Sequence, residues 1–167
     1  IIKYLIEEQK MSLNSKNEFN LTPFIIACMR NINVDIIKYL ANQDSDNQNN
    51  INGLLFACMR NQNPDVIKYL INDIGMDITQ TDSMGNNGFL SACSKNNNID
   101  IIKTLIELGF DIHYRNHATN LNGLFYACLS NNEPVIEYLI EETELCIHFL
   151  MTTTSITKQI IDKIDKM

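Results

Sequence analysis

Two kinds of apolar segment alternate along this chain. The first kind is ten residues long, has an Ala-Cys pair in its second half, and occurs at 22–31, 52–61, 87–96 and 122–131. The second kind follows each of them, as at 99–106, where Ile101, Ile102, Leu105 and Ile106 have the spacing of one apolar helix face. The Ala-Cys pairs recur 30, 35 and 35 residues apart. The pattern predicts a repeated pair of helices.

The polar residues between these segments predict where the helices begin and end. Each first segment starts at a residue whose side chain can accept a hydrogen bond from a free amide of the first turn, namely Thr22, Asn52, Asn87 and Asn122. Pro23 fits the first helical position, because its missing N–H needs no partner there. Gly75 and Gly109 follow the second segments, where a left-handed C-cap is common. A short extended segment, such as 111–116, then leads to the next unit.

A single pair of helices cannot bury its own apolar face, but stacked pairs can, so the repetition predicts a solenoid. We interpret residues 1–167 as one repeat domain. It has a partial repeat at 1–19, repeats at 20–51, 52–86, 87–121 and 122–152, and a C-terminal capping helix at 153–167. Because residues 1–6 repeat the second-helix pattern without a first helix before it, we expect a fragment of a longer protein.

These units resemble the ankyrin repeat. Thr22-Pro23-Phe24 is similar to the start of the family's Thr-Pro-Leu-His motif. Residues 36–40 are similar to its second-helix motif, and residues 108–112 are similar to its Gly-Ala-Asp-Val segment. The resemblance implies an all-α, ankyrin-like helical repeat solenoid with short β-hairpin loops. In their short, Asn- and Ile-rich style, the repeats look like those of large amoeba-infecting viruses and protists.

The chain departs from the family pattern in several places. The motif's His is missing, and three of the four units replace Thr-Pro with Asn-Gly. The middle units are about two residues longer than the family's 33, and we expect the additions in turns. The connection from Leu40 to Asn52 is shorter than the one from Leu70 to Asn87, which predicts a truncated hairpin there.

Composition and charge restrict the partners. The 167 residues carry a net charge of −7, which disfavours binding to nucleic acid and to anionic membrane surfaces. The apolar runs are shorter than the roughly 20 residues of a membrane-spanning helix. Four cysteines lie at equivalent positions of repeats roughly 10 Å apart, too far for disulfides or a shared zinc ion. We therefore expect buried thiols in a reducing compartment, the cytoplasm, or the host cytoplasm if the source is a virus or intracellular pathogen.

The sequence offers no set of residues for catalysis. His113, His117 and His148 fall in predicted hairpin segments, and we find neither a nucleophile-elbow serine nor a glycine-rich phosphate loop. We expect no enzyme activity, no cofactor and no metal site. The hypothesis of an enzyme would require a pocket in which Cys146, His148 and a carboxylate lie together.

The resemblance implies two surfaces for binding another protein. The residues that follow the Ala-Cys pairs would line a concave groove: Met29, Arg30, Met59, Arg60, Ser94 and Lys95. The hairpin tips would present Phe19, Met84, Asn86, His117 and Asn120. The alternative interpretation is that the methionines belong to the core and that the basic residues are merely solvated.

These observations favour a non-catalytic protein–protein interaction scaffold. The alternative hypothesis is a structural, self-assembling component of a larger complex or particle, since stacked repeats can also associate end to end.

Overall fold

The computed structural model describes residues 4, 7–10, 12–43, 51–130 and 132–141. Within these residues the chain forms eight α-helices: α1 Pro23–Arg30, α2 Val34–Gln43, α3 Ile51–Arg60, α4 Pro64–Lys68, α5 Gly88–Lys95, α6 Ile99–Glu107, α7 Gly123–Leu129 and α8 Glu133–Glu141. A π-helical turn, Tyr69–Asp73, continues α4. The described residues contain no strand, and the predicted all-α class is confirmed. The truncated hairpin, Cys146, His148 and the capping helix lie outside the described residues.

The helices form two layers. The first helices of the repeats, α1, α3, α5 and α7, pack side by side, and the second helices, α2, α4, α6 and α8, lie behind them. The core fills the space between the layers, where large apolar side chains such as Phe89, Leu70 and Ile101 are fully buried. The predicted stacking of helix pairs is therefore confirmed.

Most of the predicted helix ends are confirmed. The side-chain oxygens of Thr22, Asn87 and Asn122 accept hydrogen bonds from amides in the first turns of α1, α5 and α7, at 3.3, 3.0 and 3.3 Å. The prediction for Asn52 is wrong. Because α3 begins at Ile51, the backbone of Asn52 is already helical, whereas an N-cap residue needs a non-helical backbone.

The predicted glycine C-caps are also confirmed. Gly75 and Gly109 have φ of +79° and +87°. After α6, the amide of Phe110 donates to the Leu105 carbonyl and that of Gly109 to the Ile106 carbonyl, both at 3.0 Å. This pair of bonds is a Schellman motif, and it turns the chain so that Phe110 returns to the core.

Close approach between repeats explains the Asn-Gly variants of the motif. A Cβ atom at Gly88 would lie 2.9 Å from Cys58 Sγ of the preceding repeat. At Gly123 it would lie 2.7 Å from Phe89 and 2.9 Å from Cys93 Sγ. A proline or alanine there would displace these side chains, so glycine and the small Ala-Cys pair together allow the first helices to pack closely.

The additional residues of the middle repeats lie in two different places. Residues 63–75 contain one position more than the equivalent 98–109. The π-helical turn accommodates it, with the Ile74 amide donating to the Tyr69 carbonyl at 3.2 Å. The hairpin tip at 116–121 is one residue longer than that at 82–86. The prediction that the additions fall in turns is thus right for the second addition and wrong for the first, which lies in a helix.

Buried asparagines join each repeat to the one before it. The Nδ2 atom of Asn61 donates to the carbonyls of Cys28 and Asn31 at 2.7 and 2.9 Å. In the same way, Asn96 Nδ2 donates to the carbonyls of Cys58 and Asn61, at 2.9 and 2.8 Å. The last such contacts run from Asn132 Nδ2 to the carbonyls of Cys93 and Asn96, at 3.0 and 2.8 Å. We call Asn61, Asn96 and Asn132 the asparagine ladder. Its last member lies one residue after the position that the Ala-Cys alignment indicates.

A second set of asparagines reinforces this connection at the turn between the helices. Asn63 Nδ2 donates to the Ile32 carbonyl at 2.7 Å, and Asn98 Nδ2 donates to the Gln62 carbonyl at 2.9 Å. Their Oδ1 atoms accept from the amides of Asp65 and Asp100, both at 3.0 Å, and so cap the second helices. Each of these side chains closes its own turn and holds the preceding repeat at the same time.

We predict that Asn96→Ala lowers the free energy of unfolding by about 2–4 kcal/mol. The substitution removes a fully buried donor, and it deprives two buried carbonyls of a hydrogen bond. Urea unfolding followed by circular dichroism measures the change. The matched control is Asn97→Ala, the exposed neighbour in the same turn, for which we expect a change within about 0.5 kcal/mol. Equal stability of the two variants would contradict a stabilising role for the ladder.

Candidate partner-binding surface

The last residues of the first helices form a row of basic side chains. Arg30, Arg60 and Lys95 end α1, α3 and α5, which are neighbours in the stack, and all three are exposed. We call them the basic row. They have no ion pair or aromatic contact with the described part of the chain. In the fourth repeat, Ser130 takes the corresponding place after α7.

A polar groove of about 400 Å³ lies beside this row. It is lined by Arg60, Gln62, Ser94, Lys95, Asn97, Ser130 and Asn132. The structure thus brings together three of the residues proposed from the sequence: Arg60, Ser94 and Lys95. No carboxylate belongs to this lining set. Ser130 follows the fourth Ala-Cys pair and so agrees with the expectation for the residues after these pairs. The sequence did not indicate Gln62, Asn97 and Asn132, although 62 and 97 are equivalent turn positions, each following a first-helix motif and its ladder asparagine.

The floor of the polar groove is fixed by hydrogen bonds that cross between repeats. The Nδ2 atom of Asn132 donates to the carbonyls of Cys93 and Asn96, as part of the asparagine ladder. Gln62 Nε2 donates to Asn96 Oδ1 at 3.2 Å, and the hydroxyls of Ser94 and Ser130 are 3.0 Å apart. The side chains that face the groove therefore project from a rigid base.

The remaining groove candidates lie nearer the N-terminal end of the stack. Arg30 is exposed but is not part of the polar groove's lining. Met29 and Met59 are half-buried and do not belong to the buried core. Ile32, in the turn after α1, is 65% exposed, and Leu129, which takes the place of Met59 in the fourth repeat, is 53% exposed. Ile32 was not singled out from the sequence, whereas Leu129 follows the fourth Ala-Cys pair, where the sequence predicts groove residues.

The hairpin tips present two apolar side chains. Phe19 is 72% exposed and Met84 is 68% exposed. Each stands in a tight turn, where its amide donates to Asn17 Oδ1 at 3.0 Å or to Asp82 Oδ1 at 2.9 Å. The backbone turn thus holds these side chains toward solvent, which agrees with where the sequence reasoning expected them.

Three further tip residues have different surroundings. His117 is exposed, and its ring packs edge-on against Tyr114 with 5.8 Å between centroids. Asn120 is exposed and has a left-handed backbone, with φ of 59°. Asn86 is half-buried, and its Oδ1 atom accepts from the Tyr126 hydroxyl at 2.6 Å and from Asn116 Nδ2 at 2.8 Å. Asn86 therefore joins neighbouring hairpins instead of projecting outward.

The cysteines at equivalent positions are buried free thiols, as the sequence predicts: Cys28, Cys58, Cys93 and Cys128. Burial raises the pKa of the Cys28, Cys58 and Cys93 thiols far above the ordinary value. A thiol in this state is a poor nucleophile, because the thiolate is the reactive form. The described residues contain no group of three side chains able to hold a metal ion. None of their helices is long and apolar enough to cross a membrane.

We predict that the stability of the fold declines as the pH rises above about 8.5, the ordinary pKa of a thiol. The unfolded chain releases these protons there, whereas burial keeps the thiols of Cys28, Cys58 and Cys93 protonated in the folded state. Below that pH the thiols are protonated in both the folded and the unfolded state, so their full contribution to the free energy of unfolding is present. Well above it, each buried thiol lowers the free energy of unfolding by about 1.4 kcal/mol per pH unit.

Urea unfolding between pH 7.5 and 9.5 tests this expectation. Cys93→Ala should reduce the slope above pH 8.5 by the contribution of one thiol, whatever its effect on stability at neutral pH. Identical slopes in the variant and the wild type would show that the buried thiols do not cause the decline.

Comparisons with known proteins agree with this architecture. Residues 1–82 match a family model described as ankyrin repeats (3 copies), and residues 89–140 match one described as ankyrin repeats (many copies). No curated protein matches the chain. The chain belongs to the ankyrin repeat family.

Proposed function

We propose that this chain is a non-catalytic scaffold that binds another protein in the cytoplasm, through the polar groove and the hairpin tips. Ankyrin repeats are generally protein–protein interaction modules. The observation that carries the proposal is the polar groove itself, in which exposed basic and polar side chains stand on a base of buried hydrogen bonds. The buried free cysteines are consistent with a reducing compartment.

A rigid base favours binding because little conformational entropy is lost when a partner docks. The asparagine ladder and the pair of serine hydroxyls fix the turns that carry Arg60 and Lys95 before any partner arrives. Only the basic side chains themselves must become ordered. Affinity then depends on a few well-placed anchors, as it does in most protein interfaces.

Apolar side chains beside the basic row supply a second kind of contact. Met29 and Met59 are half-buried, and Ile32 is largely exposed, at the N-terminal end of the stack. Methionine side chains are flexible and polarizable, so they adapt to differently shaped partners. A partner that covers both the basic row and these side chains would bury apolar area and satisfy charges in one interface.

We predict that a groove variant, Arg30→Glu, Arg60→Glu and Lys95→Glu, loses a partner that the wild-type chain captures from cytosolic extract. The matched control is Lys10→Glu, Lys16→Glu and Lys68→Glu, which reverses three charges outside the groove lining and lowers the net charge equally. Affinity capture with mass spectrometry provides the readout, and circular dichroism verifies folding. A partner lost by the groove variant and kept by the control places binding at the groove.

A third variant, Phe19→Ser with Met84→Ser, separates the groove from the tips. Both side chains are exposed, so the fold should tolerate the change. Loss of the partner in this variant alone would assign binding to the hairpin tips. Equal loss in the groove variant and its control would indicate nonspecific charge effects and contradict binding at the groove.

A further inference from the structure

We propose that the polar groove binds an extended peptide segment that carries two anionic side chains three residues apart, one contacting Arg60 and the other Lys95. This inference rests on the proposed scaffold function and names the chemistry of its partner. The anionic groups are carboxylates or phosphates, which share the geometry and the acceptor oxygens that guanidinium and ammonium groups recognise.

The distribution of charge supports an anionic partner. The whole chain has 20 acidic and 13 basic residues, yet the seven residues that line the polar groove include two basic residues and no acidic one. Neither Arg60 nor Lys95 is paired with a carboxylate in the described part of the chain. A double-stranded nucleic acid, with one charge per about 1.7 Å, would extend beyond these two cations and meet the excess of acidic residues elsewhere.

The remaining lining residues supply hydrogen-bond donors to the same ligand. Arg60 offers five N–H groups and Lys95 offers three, and neither side chain can accept a hydrogen bond when charged. Ser94 and Ser130 are 3.0 Å apart, and the hydroxyl that does not donate within this pair can donate to a ligand. The exposed amide of Asn97 lies beside them. A surface so rich in donors suits a ligand rich in acceptors.

The repeat spacing determines the spacing of the anionic groups. Arg60 and Lys95 end neighbouring helices, α3 and α5, and the axes of packed helices lie about 8–10 Å apart. A polyproline II segment rises about 3.1 Å per residue with three residues per turn, so side chains at i and i+3 share a face and lie about 9 Å apart. In a β-strand, side chains at i and i+2 share a face but lie only about 7 Å apart. The i, i+3 spacing is therefore the best match.

Spacing should matter because a single exposed ion pair contributes little affinity. A ligand that contacts Arg60 and Lys95 together gains from both contacts. Only one peptide backbone has to become ordered for the two. The floor of the groove keeps the two turns at a fixed separation, since Asn96 bonds the turn after α3 to the turn after α5. A ligand with the wrong spacing loses one of the two contacts.

The test uses the full chain and proline-rich peptides, which favour the polyproline II conformation. The first peptide has two glutamates at i and i+3. A second has them at i and i+2, and a third has glutamines at i and i+3. In NMR titrations we expect the first to bind about two- to fivefold more tightly than the second, which loses one contact, since each exposed pair adds a factor of about two to five. We expect it to bind about four- to twenty-five-fold more tightly than the third, which loses both. The largest chemical-shift changes should involve Ser94 and Lys95.

Variants show where the peptide binds. Arg60→Glu with Lys95→Glu should abolish the preference for the i, i+3 glutamate peptide, whereas Lys10→Glu with Lys68→Glu should retain it at the same net charge. Replacing both glutamates with phosphoserine identifies the anion: tighter binding assigns the site to phosphorylated segments, and equal or weaker binding assigns it to acidic side chains.

Two results would overturn the proposal. Equal binding of the glutamate and glutamine peptides would exclude anion recognition, and equal binding at both spacings would exclude the match to the repeat. The scaffold function fails separately, if the affinity-capture experiment finds no partner that depends on the groove or on the hairpin tips.

Discussion

The hydrogen bonds of the asparagine ladder set the register of the whole stack. The last carbonyls of an α-helix have no donor within the helix, so α1, α3 and α5 each end with acceptors that need partners. Asn61, Asn96 and Asn132 provide those donors from the following repeat. Burial of apolar side chains drives the repeats together but has no direction. The buried amides add direction, because a shift along the stack would leave these carbonyls unpaired.

The position of the basic side chains follows from this constraint. Arg60 and Lys95 immediately precede Asn61 and Asn96 in the sequence, so the ladder fixes where their backbones lie. Their side chains project into the groove and take no part in the ladder. The residue before each ladder asparagine can therefore vary, as the change from Arg60 to Lys95 shows, while the asparagine itself has two buried partners. If the proposed function is right, stability and recognition are assigned to adjacent residues.

The sequence predicted the helix pairs, most of their caps and the stacking, because these depend on local patterns such as an Ala-Cys pair or a glycine after a helix. It could not separate the roles of the asparagines. Asn86 and Asn120 look alike as tip residues, yet Asn86 accepts a hydrogen bond from Tyr126 in α7. Asn132 joins the ladder, one residue after the position that the alignment indicates. Such assignments depend on contacts between repeats, which also explains why the sequence did not indicate Gln62 and Asn132 as groove residues.

The basic side chains of the two helix layers differ in their surroundings. On the second helices, the ammonium groups of Lys38 and Lys103 lie 5.4 Å from the ring centroids of Tyr69 and Tyr138, each in the next repeat. Those cations stabilise the stack through contacts between repeats. On the first helices, Arg60 and Lys95 have no such ring partner among the described residues, although their positions repeat with the same regularity. Because Lys38 and Lys103 already have aromatic partners, Arg60 and Lys95 are more available than these two lysines to the anionic partner that we propose.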